Sequence, residues 1–305
     1  MRKKVLVFRE LPADQLARLQ AAHDVTVANP KLPEQLAAFD AALSTAQGLI
    51  GSSYPITPEL LARAPQLEVI SSVSVGVDNY ALATLHQRGI TLCHTPGVLT
   101  ETTADTIFAL TMATSRRIVE LAQLVREGRW TKNIGEDLFG YDVHGKTMGL
   151  LGFGRIGQHL GVMAKAIGMK VVAFDIFHIP GIEEQLGIPY VEMDELLAKS
   201  DFISVHAPAV DGGALISAEN IAKMKDGVCV INTSRGTNVD EAALLAALES
   251  GKVRAAGLDV YADVPATNKA LYSHPMVSCT PHIGAATVEA QKRIGSEIVD
   301  IIKNF

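Results

Sequence analysis

The sequence predicts an α/β protein with two parallel sheets, each covered by helices. Short apolar, β-branched runs alternate with longer helical patterns along most of the chain, which is the rhythm of parallel β-α-β units. A glycine-rich turn at residues 152–157 opens a second series of such units halfway along. The length of 305 residues suits about two domains, and no stretch rich in Gly, Ser or Pro separates them as a flexible linker.

The first half of the chain carries four strand candidates with helical patterns between and after them. The predicted strands are residues 4–8, 46–50, 67–73 and 90–93, and the predicted helices are residues 12–23, 57–64 and 79–88. Residues 99–127 form a longer helix-compatible stretch of small and apolar residues. A helix that is apolar all round is buried, so this stretch is predicted to lie between the domains, and a dimer interface is a compatible second interpretation.

The second half repeats the same alternation after residue 147. Strands are predicted at residues 148–152, 170–174, 202–206, 228–232 and 255–259. The clearest helix between them spans residues 240–250, and the last segment, residues 287–304, is again helical.

Composition and charge exclude several classes of protein. A net charge of −6 and a pI near 5.9 argue against nucleic acid as a partner, because phosphate binding needs a basic face. One local arginine can still bind an anionic substrate.

The cysteines and the apolar runs bear on the compartment. Cys93, Cys229 and Cys279 lack CxxC spacing and indicate a reduced, cytoplasmic protein. The first apolar run is too short for a signal peptide, and none approaches the roughly 18 residues of a membrane span. The nine histidines lack HxxH or HExxH spacing, so no metal site is expected.

The glycine-rich turn predicts a dinucleotide site. Gly152, Gly154 and Gly157 form a GxGxxG pattern between a predicted strand and a predicted helix, where the backbone and the helix N-terminus receive a pyrophosphate. Asp175 lies 18 residues after Gly157, close to the spacing of the acid that binds ribose hydroxyls. A carboxylate there would repel the 2′-phosphate of NADP and no arginine follows it, so NAD is the predicted cofactor, with His178 as a weak contrary signal.

Three loops that follow predicted strands, or precede the last helix, carry candidate catalytic groups. Reduction of a 2-oxo acid needs a cation for the carboxylate, an acid/base for the carbonyl oxygen, and usually a group that keeps this acid/base protonated. Arg235, Asp259 and His282 lie in these loops. Open parallel sheets bind ligands at the carboxyl ends of their strands, so the loops are expected to converge.

The chain resembles the D-isomer-specific 2-hydroxyacid dehydrogenase family over nearly its whole length. The segments that carry the resemblance are GLLGFGRIGQ, SDFISVHAP, INTSRG, VDEAALLAALESGKVRAAGLDVY and TPHIGAAT, in that order. The resemblance implies two Rossmann-like, doubly wound domains. A flavodoxin-like substrate domain would comprise residues 1–98 and 286–305, and an NAD-binding domain, residues 99–285, would be inserted into it.

The resemblance also implies roles for individual residues. Arg235 would bind the substrate carboxylate and carbonyl, His282 would exchange the proton at the substrate oxygen, and the backbone of Val75 and Gly76 would hold the carboxylate. Beside the three glycines and Asp175, the implied cofactor residues are Thr103, Arg155 and Ile156 (by their backbone), His206 and Pro208 (flanking the adenosine), Thr233, Asp259 (at the nicotinamide carboxamide) and Gly284. His94, His144 and His159 have no comparable context and are interpreted as structural.

One position departs from the family pattern. The family usually carries a glutamate before the proline of the segment that follows Asp259, where it hydrogen-bonds the catalytic histidine and raises the pKa of that histidine; here the position is Val264. Asp263 is adjacent but shorter and is expected to point elsewhere. Unless the loop is shifted by one residue, His282 loses its orienting partner, and we expect slow turnover with an acid-shifted optimum, or none.

The substrate is predicted from the two halves of the sequence. The first half resembles reductases of glyoxylate, hydroxypyruvate and 2-ketogluconate, and the later half resembles 3-phosphoglycerate dehydrogenases. The loop at residues 51–57 contains no positive charge for a phosphate, which favours glyoxylate or hydroxypyruvate. D-3-phosphoglycerate dehydrogenase and a non-catalytic NAD(H)-binding sensor remain the alternatives, and the resemblance implies a homodimer.

Overall fold

The computed structural model describes residues 2–210 and 212–305, which form two compact units. Unit 1 comprises the chain up to Leu99 together with Ala286–Phe305, and unit 2 comprises Thr100–Ala285. Each unit has its own parallel sheet with helices on both faces, so the predicted α/β class is confirmed. No helix among the described residues is both long enough and apolar enough to cross a bilayer.

Unit 1 contains a five-stranded parallel sheet in the order β2-β1-β3-β4-β5, the flavodoxin-like order. Its elements are β1 (Lys4–Val7), α1 (Ala13–Ala22), β2 (Asp24–Val27), α2 (Leu36–Leu43), β3 (Gly48–Gly51), α3 (Pro58–Ala62), β4 (Val69–Ser72), α4 (Leu82–Gln87), β5 (Thr91–Cys93) and α13 (Val288–Lys303). β3 and β4 are buried along their whole length, because helices cover both faces of the sheet.

The last helix of the chain belongs to unit 1. The side chain of Thr287 accepts a hydrogen bond from Ala290 N and so begins α13. The helix packs against α1 and β4: Arg18 pairs with Asp300 at 2.5 Å, and Ser71 Oγ donates to the Ile298 carbonyl at 3.3 Å. The two ends of the chain therefore complete one core.

Unit 2 contains a six-stranded parallel sheet in the order β7-β6-β8-β9-β10-β11. Its elements are α5 (Thr100–Ser115), α6 (Ile118–Arg126), β6 (Thr147–Leu151), α7 (Arg155–Ala166), β7 (Lys170–Phe174), α8 (Ile182–Leu186), α9 (Met193–Lys199), β8 (Phe202–Val205), α10 (Ala218–Lys223), β9 (Val228–Asn232), α11 (Glu241–Glu249), β10 (Val253–Leu258), α12 (Lys269–Tyr272) and β11 (Val277–Cys279). β7 lies on one side of β6 and β8 on the other, and all three strands are parallel. Successive strands are therefore added toward opposite edges of the sheet on the two sides of β6.

Two strands were not predicted, for different reasons. β2 lies at the edge of its sheet and is largely exposed, so Asp24–Val27 lacks the apolar run of a buried strand. β11 has three residues, which is too short to give a pattern.

The prediction of one long helix over residues 99–127 was wrong. Arg117 adopts a left-handed backbone with φ 54°, which separates α5 from α6. Its guanidinium binds both carboxylate oxygens of Glu120 at 2.8 Å and also donates to the Asp137 carbonyl, and these contacts hold the turn. α5 is buried against α7, β9 and β10, whereas α6 buries none of its residues.

Candidate functional site

The carboxyl ends of the unit 2 strands gather most of the predicted site residues. The glycine turn follows β6, Asp175 follows β7, and His206 follows β8. Arg235 follows β9, and Asp259 directly follows β10. The parallel strands bring all of these loops to one edge of the sheet, as expected.

The glycine turn has the geometry that a pyrophosphate requires. Gly152 has φ 101°, a conformation that favours glycine, and a Cβ on Gly157 would lie 2.4 Å from the Gly152 carbonyl oxygen. Gly154 has no atom within 4 Å of a Cβ position, so its backbone faces open space. α7 begins at the next residue, Arg155. The backbone N–H groups of Arg155 and Ile156 lie in the first turn of this helix, where they have no partner within the helix and can bind an anion. These features fit the NAD pyrophosphate.

Asp175 is held by the backbone on both sides of it. One carboxylate oxygen accepts from Phe153 N at 2.6 Å, and the other accepts from Phe177 N at 3.0 Å. The carboxylate thereby ties β7 to the glycine turn at the position where a ribose would lie. The His178 ring stacks on Tyr190 with 3.9 Å between centroids, and no arginine lies in residues 175–179.

His206 is neutral and enclosed beside the glycine turn. Burial lowers the pKa of His206 to about 4. Its Nε2 atom is enclosed and has no hydrogen-bond partner among the described residues, so it can bind a polar group of a ligand. Pro208, two residues later, is exposed. Asn238, which the sequence did not single out, donates to the carbonyls of Ala207 and Pro208 at 2.9 and 3.1 Å and so positions this loop.

The loop after β9 presents Arg235 from a braced turn. Asn232 donates to the Arg235 carbonyl at 2.8 Å and accepts from Ser234 N at 3.0 Å. The Arg235 side chain is partly buried, and its Nη1 donates to the Ser234 carbonyl at 2.8 Å. A Cβ on Gly236 would lie 1.8 Å from the Tyr261 carbonyl oxygen, so only glycine permits this loop to pack on the loop after β10. Thr233, at the start of the turn, is partly buried.

Asp259 anchors the loop that carries His282. The Asp259 carboxylate is fully buried and accepts from Thr280 Oγ1 at 2.6 Å, from Ile283 N at 2.7 Å and from Gly284 N at 2.9 Å. The predicted contact of Asp259 with a carboxamide stays a prediction, and the loop anchorage is a role that the sequence did not reveal. Thr103 Oγ1 donates to the Gly284 carbonyl at 3.2 Å and closes the other side of the loop.

The His282 imidazole is exposed, in contrast to its well-anchored backbone. Its φ of 59° is left-handed, a conformation that costs an ordinary residue free energy and that the Asp259 hydrogen bonds maintain. The ring makes no hydrogen bond to any residue within 2–210 or 212–305. Val264 is 83% exposed, and Asp263 accepts from Thr267 Oγ1 at 2.6 Å instead of reaching the ring. A shift of the loop by one residue, which would replace the missing glutamate, is therefore not seen.

Val75 and Gly76 lie in unit 1, in the loop after β4. Ser74 Oγ donates to the Gly76 carbonyl at 2.9 Å, and His94 Nδ1 lies 2.8 Å from the Val75 carbonyl oxygen. The His94 contact braces the predicted carboxylate loop. Sequence reasoning missed this contact, because it depends on β5 lying beside β4.

Comparison with known proteins identifies the family of the chain. A parallel sheet with a glycine turn for a dinucleotide, and with arginine and histidine at its strand ends, defines an NAD-binding oxidoreductase. The family model of the D-isomer specific 2-hydroxyacid dehydrogenase, NAD binding domain, matches residues 108–284. The chain belongs to the D-isomer specific 2-hydroxyacid dehydrogenase family.

Individual relatives cover nearly the whole chain. Glyoxylate/hydroxypyruvate reductase B of Citrobacter koseri is 42% identical over 303 residues, which are 98% of this chain and 94% of that protein. The TT0316 protein from Thermus thermophilus is 40% identical with a TM-score of 0.88 over 98% of this chain and 94% of its own. The structure of an NADPH-dependent glyoxylate/hydroxypyruvate reductase from Sinorhizobium meliloti, in complex with NADP and malonate, is 29% identical in sequence and has a TM-score of 0.88. The match covers 99% of this chain and 93% of that chain.

Proposed function

We propose that the protein is an NADH-dependent reductase of small 2-oxo acids, of the glyoxylate and hydroxypyruvate type. The observation that carries the proposal is the presence of Arg235 and His282 in the strand-end loops of a sheet whose glycine turn fits NAD. The relatives from Citrobacter koseri and Sinorhizobium meliloti are named as glyoxylate/hydroxypyruvate reductases, which supports the same substrate class here. Their names do not support D-3-phosphoglycerate dehydrogenase.

Arg235 and His282 have different roles toward the substrate: Arg235 binds it and His282 donates a proton. The partly buried Arg235 guanidinium binds the substrate carboxylate and polarises the adjacent carbonyl, and its braced turn limits the entropy lost on binding. NADH, when held at the glycine turn, would supply the hydride that reduces C2 of the 2-oxo acid. The protonated His282 ring donates its proton to the carbonyl oxygen, and the product is the 2-hydroxy acid.

The remaining predicted residues fit the same scheme. In unit 1, which we assign as the substrate domain, the backbone of Val75 and Gly76 receives the carboxylate. In unit 2, which we assign as the NAD-binding domain, the glycine turn binds the pyrophosphate and Asp175 binds the ribose. The charge of Asp175 and the absence of an arginine beside it favour NADH over NADPH.

Val264 lowers the expected rate. With Val264 exposed and Asp263 accepting from Thr267, no carboxylate of the described residues holds the His282 ring in position for proton donation, so turnover is expected to be slow. The alternative of a non-catalytic NAD(H)-binding sensor is not favoured, because the relatives are named as reductases.

The homodimer and the cytoplasmic location are also proposals. α6 is rich in apolar residues and buries none of them, with Ile118, Val119 and Val125 about half exposed. Trp130 and Phe139, in the segment that follows, are exposed as well, and a second copy of the chain is the partner that we propose for this face. The three cysteines are free thiols, which supports a reducing compartment.

The test is NADH oxidation with glyoxylate, hydroxypyruvate and 3-phosphohydroxypyruvate from pH 5 to pH 8, with NADPH in parallel. We expect turnover of the first two with NADH, and a loss of about 10²- to 10⁴-fold in kcat for His282→Asn. NADH binding in calorimetry without turnover would favour the sensor, and preferred turnover of the phosphorylated acid would contradict the proposed substrate class.

A further inference from the structure

One residue of the loop after β10 contacts both of the loops that carry Arg235 and His282. The Tyr261 backbone packs against Gly236, the neighbour of Arg235, where an added Cβ would lie 1.8 Å from the Tyr261 carbonyl oxygen. The Tyr261 hydroxyl donates to the Thr280 carbonyl at 2.6 Å, two residues before His282. The backbone of Tyr261 therefore limits the position of the first loop, and its side chain limits the position of the second.

The Thr280 carbonyl is also an acceptor for the backbone of His282. His282 N donates to it at 3.0 Å, in the turn where His282 has its left-handed φ of 59°. Asp259 holds the same turn elsewhere, at the Thr280 hydroxyl and at the two residues that follow His282. Tyr261 and Asp259 thus hold the His282 turn through different atoms, and the Thr280 carbonyl is the atom that Tyr261 holds.

The surroundings of Tyr261 keep its hydroxyl in the form that donates. The side chain is partly buried, and burial raises the pKa of the Tyr261 hydroxyl above its ordinary value, so the proton remains in place at neutral pH. The Leu258 carbonyl lies farther from the hydroxyl, at 3.2 Å, so the bond to Thr280 is the stronger one. The Tyr272 ring packs edge-on against the Tyr261 ring, with 4.9 Å between centroids, and fixes its orientation.

Glu241 holds Tyr261 from the side of the Arg235 loop, because it is the first residue of α11, the helix that follows this loop. One carboxylate oxygen accepts from Ala262 N at 3.0 Å, and the Tyr272 hydroxyl donates to both oxygens at 2.9 Å. The carboxylate thereby ties the peptide group after Tyr261, and the ring that packs on Tyr261, to the same helix N-terminus.

We infer that Tyr261 is a positioning residue that sets the distance between Arg235 and His282, and that Glu241 holds Tyr261 in place. The inference rests on the proposed function, in which the guanidinium and the imidazole act on one small substrate at the same time. Such a reaction needs both groups in position together, and a displacement of about 1 Å can lower the rate about 10²-fold. With Val264 at the position of the usual glutamate, the His282 ring depends on its backbone for its position.

The experiment follows a single turnover of NADH and hydroxypyruvate by Tyr261→Phe, which keeps the ring and removes the hydroxyl. We expect the rate constant of NADH oxidation to fall about tenfold, because the hydrogen bond to the Thr280 carbonyl is lost. KM in the steady state should change less than about twofold, because the Tyr261 backbone still packs on Gly236 beside Arg235. A loss of folded protein alone would lower the amplitude of the single turnover and leave its rate constant unchanged.

Two further variants complete the experiment. Glu241→Gln keeps an acceptor for Ala262 N but removes the charge that faces the Tyr272 hydroxyl, so the same rate constant should fall about threefold. This variant also keeps the test available if Tyr261→Phe does not fold. Tyr141→Phe is the matched control, since the exposed Tyr141 ring packs on Arg254 at the amino end of β10, opposite to these loops, and its rate constant should equal that of the wild type.

Three results would overturn the inference. Wild-type rate constants in both Tyr261→Phe and Glu241→Gln would show that the hydroxyl positions nothing, while turnover by the wild type would leave the proposed function intact. A rise in KM that accounts for the whole loss of kcat/KM in Tyr261→Phe would assign the residue to substrate binding. A wild-type protein that reduces neither glyoxylate nor hydroxypyruvate would remove the proposed function itself, and the inference with it.

Discussion

The glycine turn and the His282 loop lie at the same edge of the unit 2 sheet, but only the first is chemically complete. At the glycine turn, Asp175 accepts hydrogen bonds from the backbone and carries the charge that the proposed ribose site needs. In the His282 loop, Asp259 accepts two hydrogen bonds from the backbone and one from the Thr280 hydroxyl, yet the ring has no partner in the described chain. In this protein, the residue that positions the His282 loop, Asp259, is thus different from the residue that would set the proton affinity of the ring, which the family carries at position 264.

The largest expected effect comes from removing the anchor of the His282 loop. Asp259→Asn keeps the size of the side chain but removes its charge. The Asn NH₂ group would replace one carboxylate oxygen, so one of the backbone N–H groups of Ile283 and Gly284 would lose its acceptor. We expect kcat/KM for glyoxylate to fall by about 10²- to 10³-fold and the free energy of unfolding to fall by about 3 kcal/mol. Steady-state kinetics and urea unfolding measure the two quantities.

Asp240→Asn is the matched control for this anchor. Asp240 caps α11 by accepting from Ala242 N and Ala243 N, and asparagine caps helices about as well as aspartate, so both quantities should change little. If Asp259→Asn retained full activity, the backbone of the His282 loop would not need Asp259, and the comparison between the two loops would lose its basis.

His206 tests the cofactor side of the comparison. Its folded-state pKa of about 4 lies below the ordinary value of 6.5, so the unfolded chain takes up the proton first as the pH falls. The stability that depends on neutral His206 is complete above about pH 6.5 and is lost toward pH 4. We expect the free energy of unfolding to fall by about 2 kcal/mol between pH 7 and pH 5, and His206→Leu to remove this component. Identical pH dependence of both proteins in urea unfolding would show that His206 is not the group responsible.

The smallest expected effect is an increase in activity on Val264→Glu, which supplies the carboxylate partner that His282 lacks. Val264→Glu places a carboxylate where the family carries one, and a nearby negative charge raises the pKa of an imidazole. Because the proposed reduction uses the protonated ring, activity of the variant should persist to higher pH, and its kcat at pH 8 should be about tenfold above that of the wild type. Val264→Gln adds similar bulk without charge and is the control, so an equal gain in both variants would point to packing instead of proton affinity.

Local sequence patterns predicted the parts of the molecule that depend on a few neighbouring residues. The glycine turn, the strand before it and Asp175 at the end of β7 follow from spacing and periodicity alone. The Asp259 anchor was not predictable, because its three partners lie 21 to 25 residues later and meet it only when β10 and β11 pair. The break at Arg117 was missed for a similar reason, since the turn is held by contacts with Glu120 and Asp137 and not by a glycine or proline.

The membership of α13 in unit 1 has a consequence for protein synthesis. Unit 1 begins with the first strand of the chain, but its core is completed by Ile298 and Ile302 near the end. At about 5 to 20 residues per second, the ribosome needs on the order of 10 to 40 seconds to translate the intervening part. Unit 2 is contiguous and emerges whole during that interval, so we expect it to fold first, while the apolar strands of unit 1 wait for α13 to be synthesised.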